Sequence, residues 1–161
     1  MRTSRQPVRA LDRLDRKILG VLQADGRISM KELAEAVGLT ITPCIERVKR
    51  LERDGVIMGY YARLNPTLLG SALLVFVEIS LGNKSGNMFE QFRREVLRIP
   101  EVLECHLVSG DFDYLIKARI REIGEYRRLL GDILLQLPGA AQSKSYVVME
   151  EIKETLAIAV D

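Results

Sequence analysis

Tryptophan is absent from this chain of 161 residues, histidine occurs once and cysteine twice. A single histidine, His106, cannot supply a histidine metal cluster, and a lone histidine on a strand is a poor candidate for a catalytic base. Two cysteines, Cys44 and Cys105, are too few for a disulfide framework and are expected as free thiols. Aromatic residues make up only 6% of the chain, which argues against the stacking platforms of RNA and single-strand binders. Long apolar runs are missing too. The longest, Ser71 to Leu81, is interrupted by Glu78 and falls far short of the roughly 20 residues that span a bilayer. The basic start of the chain leads into no apolar segment, so it is not expected to be a secretory signal, and a cytoplasmic location without membrane partners is expected. There is no Cys-x-x-Cys, no phosphate-binding loop and no dinucleotide fingerprint. Enzyme chemistry therefore has little to stand on, and no cofactor is expected.

Excess charge of one sign is also lacking. Lys and Arg number 24 against 22 Asp and Glu, a net of +2. The distribution is uneven, however. Residues 1–63 hold 13 basic and 8 acidic residues, a net of +5; residues 64–161 hold 11 and 14, a net of −3. A basic first part and a mildly acidic second part imply two domains with different partners. The turn pair Asn65-Pro66 marks the boundary, giving a basic tail over 1–10, a first domain over 11–64 and a second over 65–161.

The apolar content, 47%, is ample for two cores. In the first domain Leu14, Ile18 and Leu22 recur at helical spacing from about Asp12 to Ala24, and Asp25-Gly26 ends that helix. Ser29 with Glu32 three residues later is a capping box for a short helix that buries Leu33, Ala34 and Val37 and stops at Gly38. Thr42-Pro43 then predicts the N-cap and first residue of a third helix. Ile45, Val48 and Leu51 are its expected buried stripe, and Arg47, Lys49, Arg50 and Arg53 lie off it. This is a helix-turn-helix pattern. The third helix is expected in the DNA major groove, with Thr40, Thr42, Pro43 and Cys44 near base edges and Arg47, Lys49, Arg50 and Arg53 toward bases or phosphates. Val56 to Leu64 is β-prone and predicts a two-stranded wing; Arg2, Arg5, Arg9 and Arg63 offer further phosphate contacts.

The second domain predicts strand, helix, strand, strand, helix, strand. The strands are expected over Ala72–Leu81, Val102–Val108, Phe112–Ile120 and Ser145–Ile152. Phe89, Phe92, Val96 and Ile99 line the first helix; Tyr126, Leu129, Leu130, Ile133 and Leu134 line the second. The fold class is thus α+β: an N-terminal winged helix-turn-helix and a C-terminal ferredoxin-like βαββαβ αβ-sandwich. Apolar residues on both faces of the predicted sheet, such as Leu74 and Phe76 opposite Val75 and Val77, imply that a second subunit covers the face without helices. Asp111 and Asp113 flank a turn, where they either stabilise the loop or bind a cationic group.

The runs Leu14-Asp15-Arg16-Lys17-Ile18-Leu19, Asp25-Gly26-Arg27-Ile28-Ser29 and Thr42-Pro43-Cys44-Ile45-Glu46-Arg47-Val48 resemble the Lrp/AsnC transcription regulators. So do the stretch from Glu104 to Tyr114 and the run Tyr146-Val147-Val148-Met149-Glu150-Glu151. The resemblance extends from about Leu11 to Glu154. At Thr40-Ile41 the chain departs from the Ser-Pro of many relatives. The resemblance implies a regulator of transcription, activating or repressing, that binds double-stranded DNA through its third helix. It also implies homodimers assembling to octamers or larger, and an amino-acid effector such as leucine held between dimers. The effector positions it implies are Leu107, Val108, Ser109, Gly110, Asp111, Asp113, Tyr114, Tyr146, Val147, Val148 and Met149. A zwitterion there needs a carboxylate for its ammonium, Asp113 first and Asp111 second. Backbone N–H groups of Ser109-Gly110 would hold its carboxylate, and Leu107, Val147 or Met149 its apolar side chain. The alternative is a nucleoid-associated architectural protein that compacts DNA with little effector control. Thr155 to Asp161 carry no signal of their own.

Overall fold

The structure, a computed structural model, describes residues 10–160 except Lys84, and leaves out the side chains of Ile133, Leu134 and Leu135. Arg2, Arg5 and Arg9 lie outside the described residues. The chain forms two units: the residues up to Arg63 joined by those from Glu154 onward, and Leu64–Lys153. The first break falls beside Asn65-Pro66, where Asn65 Oδ1 accepts the N–H groups of Thr67 (3.0 Å) and Leu68 (3.4 Å). The second break departs from the domain limits expected above, because the chain beyond Lys153 packs with the helices and not with the sheet.

The helical unit contains α1 (Arg13–Ala24), α2 (Met30–Val37) and α3 (Ile41–Arg53). Each start has a local cause. Asp12 caps α1 and trades hydrogen bonds with Asp15; Ser29 and Glu32 form the expected capping box on α2. Gly38, with φ +78°, ends α2 in a left-handed conformation that suits glycine. Its amide and that of Leu39 return to carbonyls of α2, which turns the chain toward α3. The core is Ile18, Leu19, Leu22, Leu33, Ala34, Val37, Cys44, Val48 and Leu51.

Two expectations for this unit change. α3 starts earlier, with Thr40 as N-cap, so that Pro43 is its third residue. Proline fits there because the first-turn N–H groups have no intrahelical acceptor. The buried stripe is consequently Cys44, Val48 and Leu51, and Ile45 is only partly covered. No strand forms over residues 56–64. Val56 and Ile57 are drawn onto the core, both donating to Leu51 O, and Met58, Tyr61 and Leu64 project into solvent with no neighbouring strand to complete a ladder.

The second unit has the order β1 (Leu73–Leu81), α4 (Gly86–Val96), β2 (Val102–Leu107), β3 (Tyr114–Ile120), α5 (Ile123–Gln136) and β4 (Ala140–Val147). The sheet order is β2-β3-β1-β4, antiparallel throughout. Val75, Val77, Ile79 and Leu81 of β1 and Tyr114, Ile116, Ala118 and Ile120 of β3 share one face and form the core with Phe92, Val96, Ile99, Leu129 and Leu137. The Tyr114 ring stacks on Phe92 at 3.8 Å and 7°.

β4 begins at Ala140, five residues before the expected start, and ends at Val147. Gly139, at φ +76°, makes the turn directly after α5 and sets Ala140 opposite Leu81. The polar run Gln142 to Ser145 pairs as an edge strand, where alternation of apolar residues is weak. A bulge between Val102 and Glu104 shifts β2 by one residue, so Val102, Cys105 and Leu107 share the helix-covered face. The open face is therefore mixed. Leu74, Phe76 and Leu115 lie among Glu104, Lys117, Arg119, Glu78 and Tyr146.

Cys44 is fully enclosed, and burial pushes its thiol up from the usual range. Replacing it by serine would place a hydroxyl in an apolar core. Cys44→Ser is expected to destabilise the chain by about 1–3 kcal/mol, read as a lowered midpoint in denaturant, while Thr42→Ser on the solvent face has no effect.

Candidate nucleic-acid interface and effector loop

Thr42, Glu46, Lys49 and Arg53 recur every three or four residues along α3 and form its solvent face. Thr40 and Ile41 precede them at the exposed entry to the helix. Cys44, expected near base edges, points the other way and contacts no solvent. Position 44 is already inside the helix, because α3 starts two residues earlier than expected, and it lies one turn before Val48 on the buried stripe.

Arg47 and Arg50 lie between these faces, and both are committed to α1. Arg47 Nη1 donates to Asp12 Oδ2 at 2.6 Å and to Asp15 Oδ1 at 2.8 Å; Arg50 Nη2 donates to the same Asp15 oxygen at 2.5 Å. Asp15 is 1% exposed and also accepts the Asp12 N–H. A buried carboxylate with two guanidinium partners is stable only as a set, because removing one partner leaves charge without compensation. The cluster holds α3 at a fixed rotation about its own axis, which decides that Glu46 and Lys49 face outward.

The loop from Val108 to Asp113 joins β2 to β3. Val108 N–H donates to Asp113 O (2.9 Å), Asp113 N–H to Ile79 O (2.9 Å) and Leu81 N–H to Asp113 Oδ2 (2.8 Å). Asp113 is thus buried and serves the backbone at the end of β1. Of the two readings of this acid pair, Asp113 follows the loop-stabilising one. Asp111 is exposed and makes no hydrogen bond or ion pair among the described residues. Gly110, at φ +139°, takes a backbone conformation that other residues resist, and Ser109 beside it is exposed. Tyr114 is buried and stacks on Phe92, and with Leu107 it lines one pocket beside that ring.

The other expected effector residues are elsewhere. Leu107 is level with Tyr114, Ile79 and Ser143, whereas Val147 is level with Val75, Ala118 and Val102. β2 and β4 are opposite edges, three strand spacings or about 14 Å apart. The offset along the strands adds about 13 Å over four residues. Leu107 to Asp113 and Tyr146 to Met149 therefore occupy diagonal corners of one sheet. At the second corner Tyr146 Oη donates to Glu78 (2.9 Å) with Lys144 Nζ 5.2 Å from its ring centre, Val148 N–H is tied to Leu74 O, and Met149 is almost wholly exposed.

Residues 11–58 match the family model for a winged helix-turn-helix DNA-binding domain, and residues 74–158 that for the Lrp/AsnC ligand binding domain. The chain belongs to the Lrp/AsnC family. It is 55% identical over 153 residues to the leucine-responsive regulatory protein of Escherichia coli K12, covering 95% of this chain and 93% of that protein. It is 56% identical over 151 residues to the protein of the same name from Serratia marcescens, covering 94% and 92%. Among solved structures, a transcriptional regulator of Neisseria meningitidis in complex with L-Met superposes with a TM-score of 0.88 at 36% identity, covering 94% of this chain and 98% of that one. An AsnC family regulator from Agrobacterium tumefaciens superposes equally well, at 36% identity over 92% and 97%.

As an Lrp/AsnC regulator, the chain is a DNA-binding transcriptional regulator with an amino-acid ligand-binding domain, not an enzyme. Sequence reasoning overlooked Glu46 on the solvent face of α3; its i+4 spacing from Thr42 was the available signal. It also overlooked Asp12 and Asp15 as partners of the α3 arginines, which no local pattern encodes.

The electrostatics of the Asp12 cluster set an acid limit. The Arg47 guanidinium, and after it the Asp15 N–H, hold the Asp12 carboxyl at about 2 against an ordinary 3.8. A depressed carboxyl contributes stability above its unfolded value, and that contribution is lost as pH falls through the folded one. Unfolding midpoints followed by circular dichroism should drop between about pH 4 and pH 2, and Asp12→Asn, which lacks this contribution, should start lower above pH 4 and lose less across that window.

Proposed function

We propose that this regulator binds duplex DNA through the solvent face of α3 in two or more copies, and that an apolar amino acid, leucine first, controls its assembly and DNA binding. The observation that carries this reading is the diagonal placement of the two groups of effector residues. One free amino acid cannot bridge roughly 20 Å, so a site using both corners needs corners from two copies. Effector binding and assembly then become one event, and the effector acts through its different affinity for assembly states. The mixed open face, with an apolar centre and a charged border, suits a homodimer, and dimers joined corner to corner give octamers or larger. Leucine is chosen because the relatives named above are leucine-responsive. L-Met, held by the Neisseria meningitidis regulator, has an apolar side chain of similar size. A nucleoid-associated location follows if such assemblies engage many DNA sites.

At the effector, Asp111 takes the ammonium and the Ser109-Gly110 amides take the carboxylate. Leu107 on one copy, with Val147 and Met149 on another, covers the side chain. Asp113 acts through the loop it holds, so it is a positioning residue. On DNA, Lys49 and Arg53 contact phosphates, and Thr42 and Glu46 read base edges. A glutamate there accepts from a cytosine amino group.

Two experiments test these roles. In binding to a candidate promoter across a salt series, Lys49→Ala should weaken all sequences alike and reduce the salt slope by about 1, whereas Glu46→Ala should change the preferred sequence and leave the slope alone. Uniform weakening by Glu46→Ala would remove it from base reading, and binding set by salt alone would favour an architectural protein. In a leucine titration followed by sedimentation, Asp111→Asn should abolish the response without lowering the melting temperature. Asp113→Asn should lower both. A full response from Asp111→Asn would overturn its role as the ammonium partner.

A further inference from the structure

The chain enters the helical unit twice. After β4 the backbone leaves the α/β unit, and from Glu154 it belongs to the helices. The attachment is specific. The Gln23 side-chain amide on α1 grips the Ile158 backbone at both ends: Nε2 donates to Ile158 O (2.9 Å), and Ile158 N–H donates to Oε1 (2.6 Å). Val160 packs on the helical core, its Cγ2 3.6 Å from where a Cβ on Gly20 would lie. Arg63 Nη2 lies 3.5 Å from a Glu154 oxygen. An amide side chain that supplies one donor and one acceptor to an extended residue imitates a neighbouring strand, so this seat on α1 fits an extended backbone.

We infer that residues 154–160 are a strap that relays the effector signal from the last strand to α1. Tyr146 to Met149, one of the two effector corners, lies only five residues before the strap. At its far end α1 carries Asp12 and Asp15, which hold Arg47 and Arg50 of α3. A change at the end of β4 thus has a continuous covalent and hydrogen-bonded route to the DNA-reading helix. Gln23 is a positioning residue in this scheme; it touches neither DNA nor effector.

The relay rests on the effector reading given above, and the test separates the two. Promoter affinity is measured with and without leucine, and then with the other amino acids, for the wild type, Gln23→Ala and a chain ending at Lys153. Leucine binding is measured in parallel by calorimetry, and assembly by sedimentation. The wild-type shift, about 5-fold or more for ordinary allosteric coupling, should fall below about 2-fold in both variants. Leucine affinity and affinity for DNA without leucine should stay within about 2-fold of wild type in Gln23→Ala. A wild type that responds to no amino acid overturns the effector reading and the relay with it. A responsive wild type whose variants respond equally overturns the relay alone. A Gly20→Cys, Val160→Cys pair checks the seat: its oxidised product should run as a single chain, and a cross-linked dimer would overturn the intrachain strap.

Discussion

The buried carboxylate of Asp15 is the constraint on which the DNA-binding unit depends. It lies on α1, away from the DNA-facing helix, yet two arginines of α3 converge on it. Desolvating a carboxylate is costly, and two charge-assisted hydrogen bonds with a backbone N–H from Asp12 offset that cost. Apolar packing of Cys44, Val48 and Leu51 is non-directional, whereas hydrogen bonds to one carboxylate are directional. The ion cluster thus adds a fixed geometry between α1 and α3. It also takes two cations from the count available to DNA, so the basic surface of α3 is smaller than its composition suggests. The cluster pairs two arginines with two aspartates, so the net of +5 in the first 63 residues is carried by the remaining basic residues.

Local signals in the sequence were read well where one residue decides the geometry. The Ser29–Glu32 box, the left-handed Gly38 and the apolar stripe of β1 each lie where spacing places them. The α+β class and the order of strands and helices follow from such signals. Errors arose where a neighbour decides. α3 was out of phase because Thr42-Pro43 imitates a helix start while Thr40 supplies it. β4 was displaced because an edge strand next to a turn at Gly139 needs no apolar alternation. The bulge in β2, which puts Val102, Cys105 and Leu107 on one face, is announced by no composition. The strand expected over residues 56–64 lacks a pairing partner among the described residues.

The effector residues show the same division. The turn at Ser109 to Asp111 was legible from its glycine, whereas the loop extends to Asp113, where a strand is expected from the sequence. Which aspartate is available was not legible, because that depends on Leu81 across the sheet. Nor does a linear motif disclose that its two halves sit on opposite edges. That follows from the strand order β2-β3-β1-β4, which makes Leu107 and Val147 distant although both lie near strand ends. On the function proposed above, a single copy would supply half of two sites and the whole of none.

The return of residues 154–160 to α1 also bears on how the molecule is made. Synthesis runs from the N-terminus, and a leading domain ordinarily folds as soon as it clears the ribosome. Here the helices emerge first but lack Val160 and the Ile158 backbone until the entire α/β unit has followed. The unit that reads DNA is finished last. A nascent or clipped chain would carry all three helices and still lack Val160 and the Ile158 backbone, so the packing of the helical unit is completed only after the ligand-binding domain has been made.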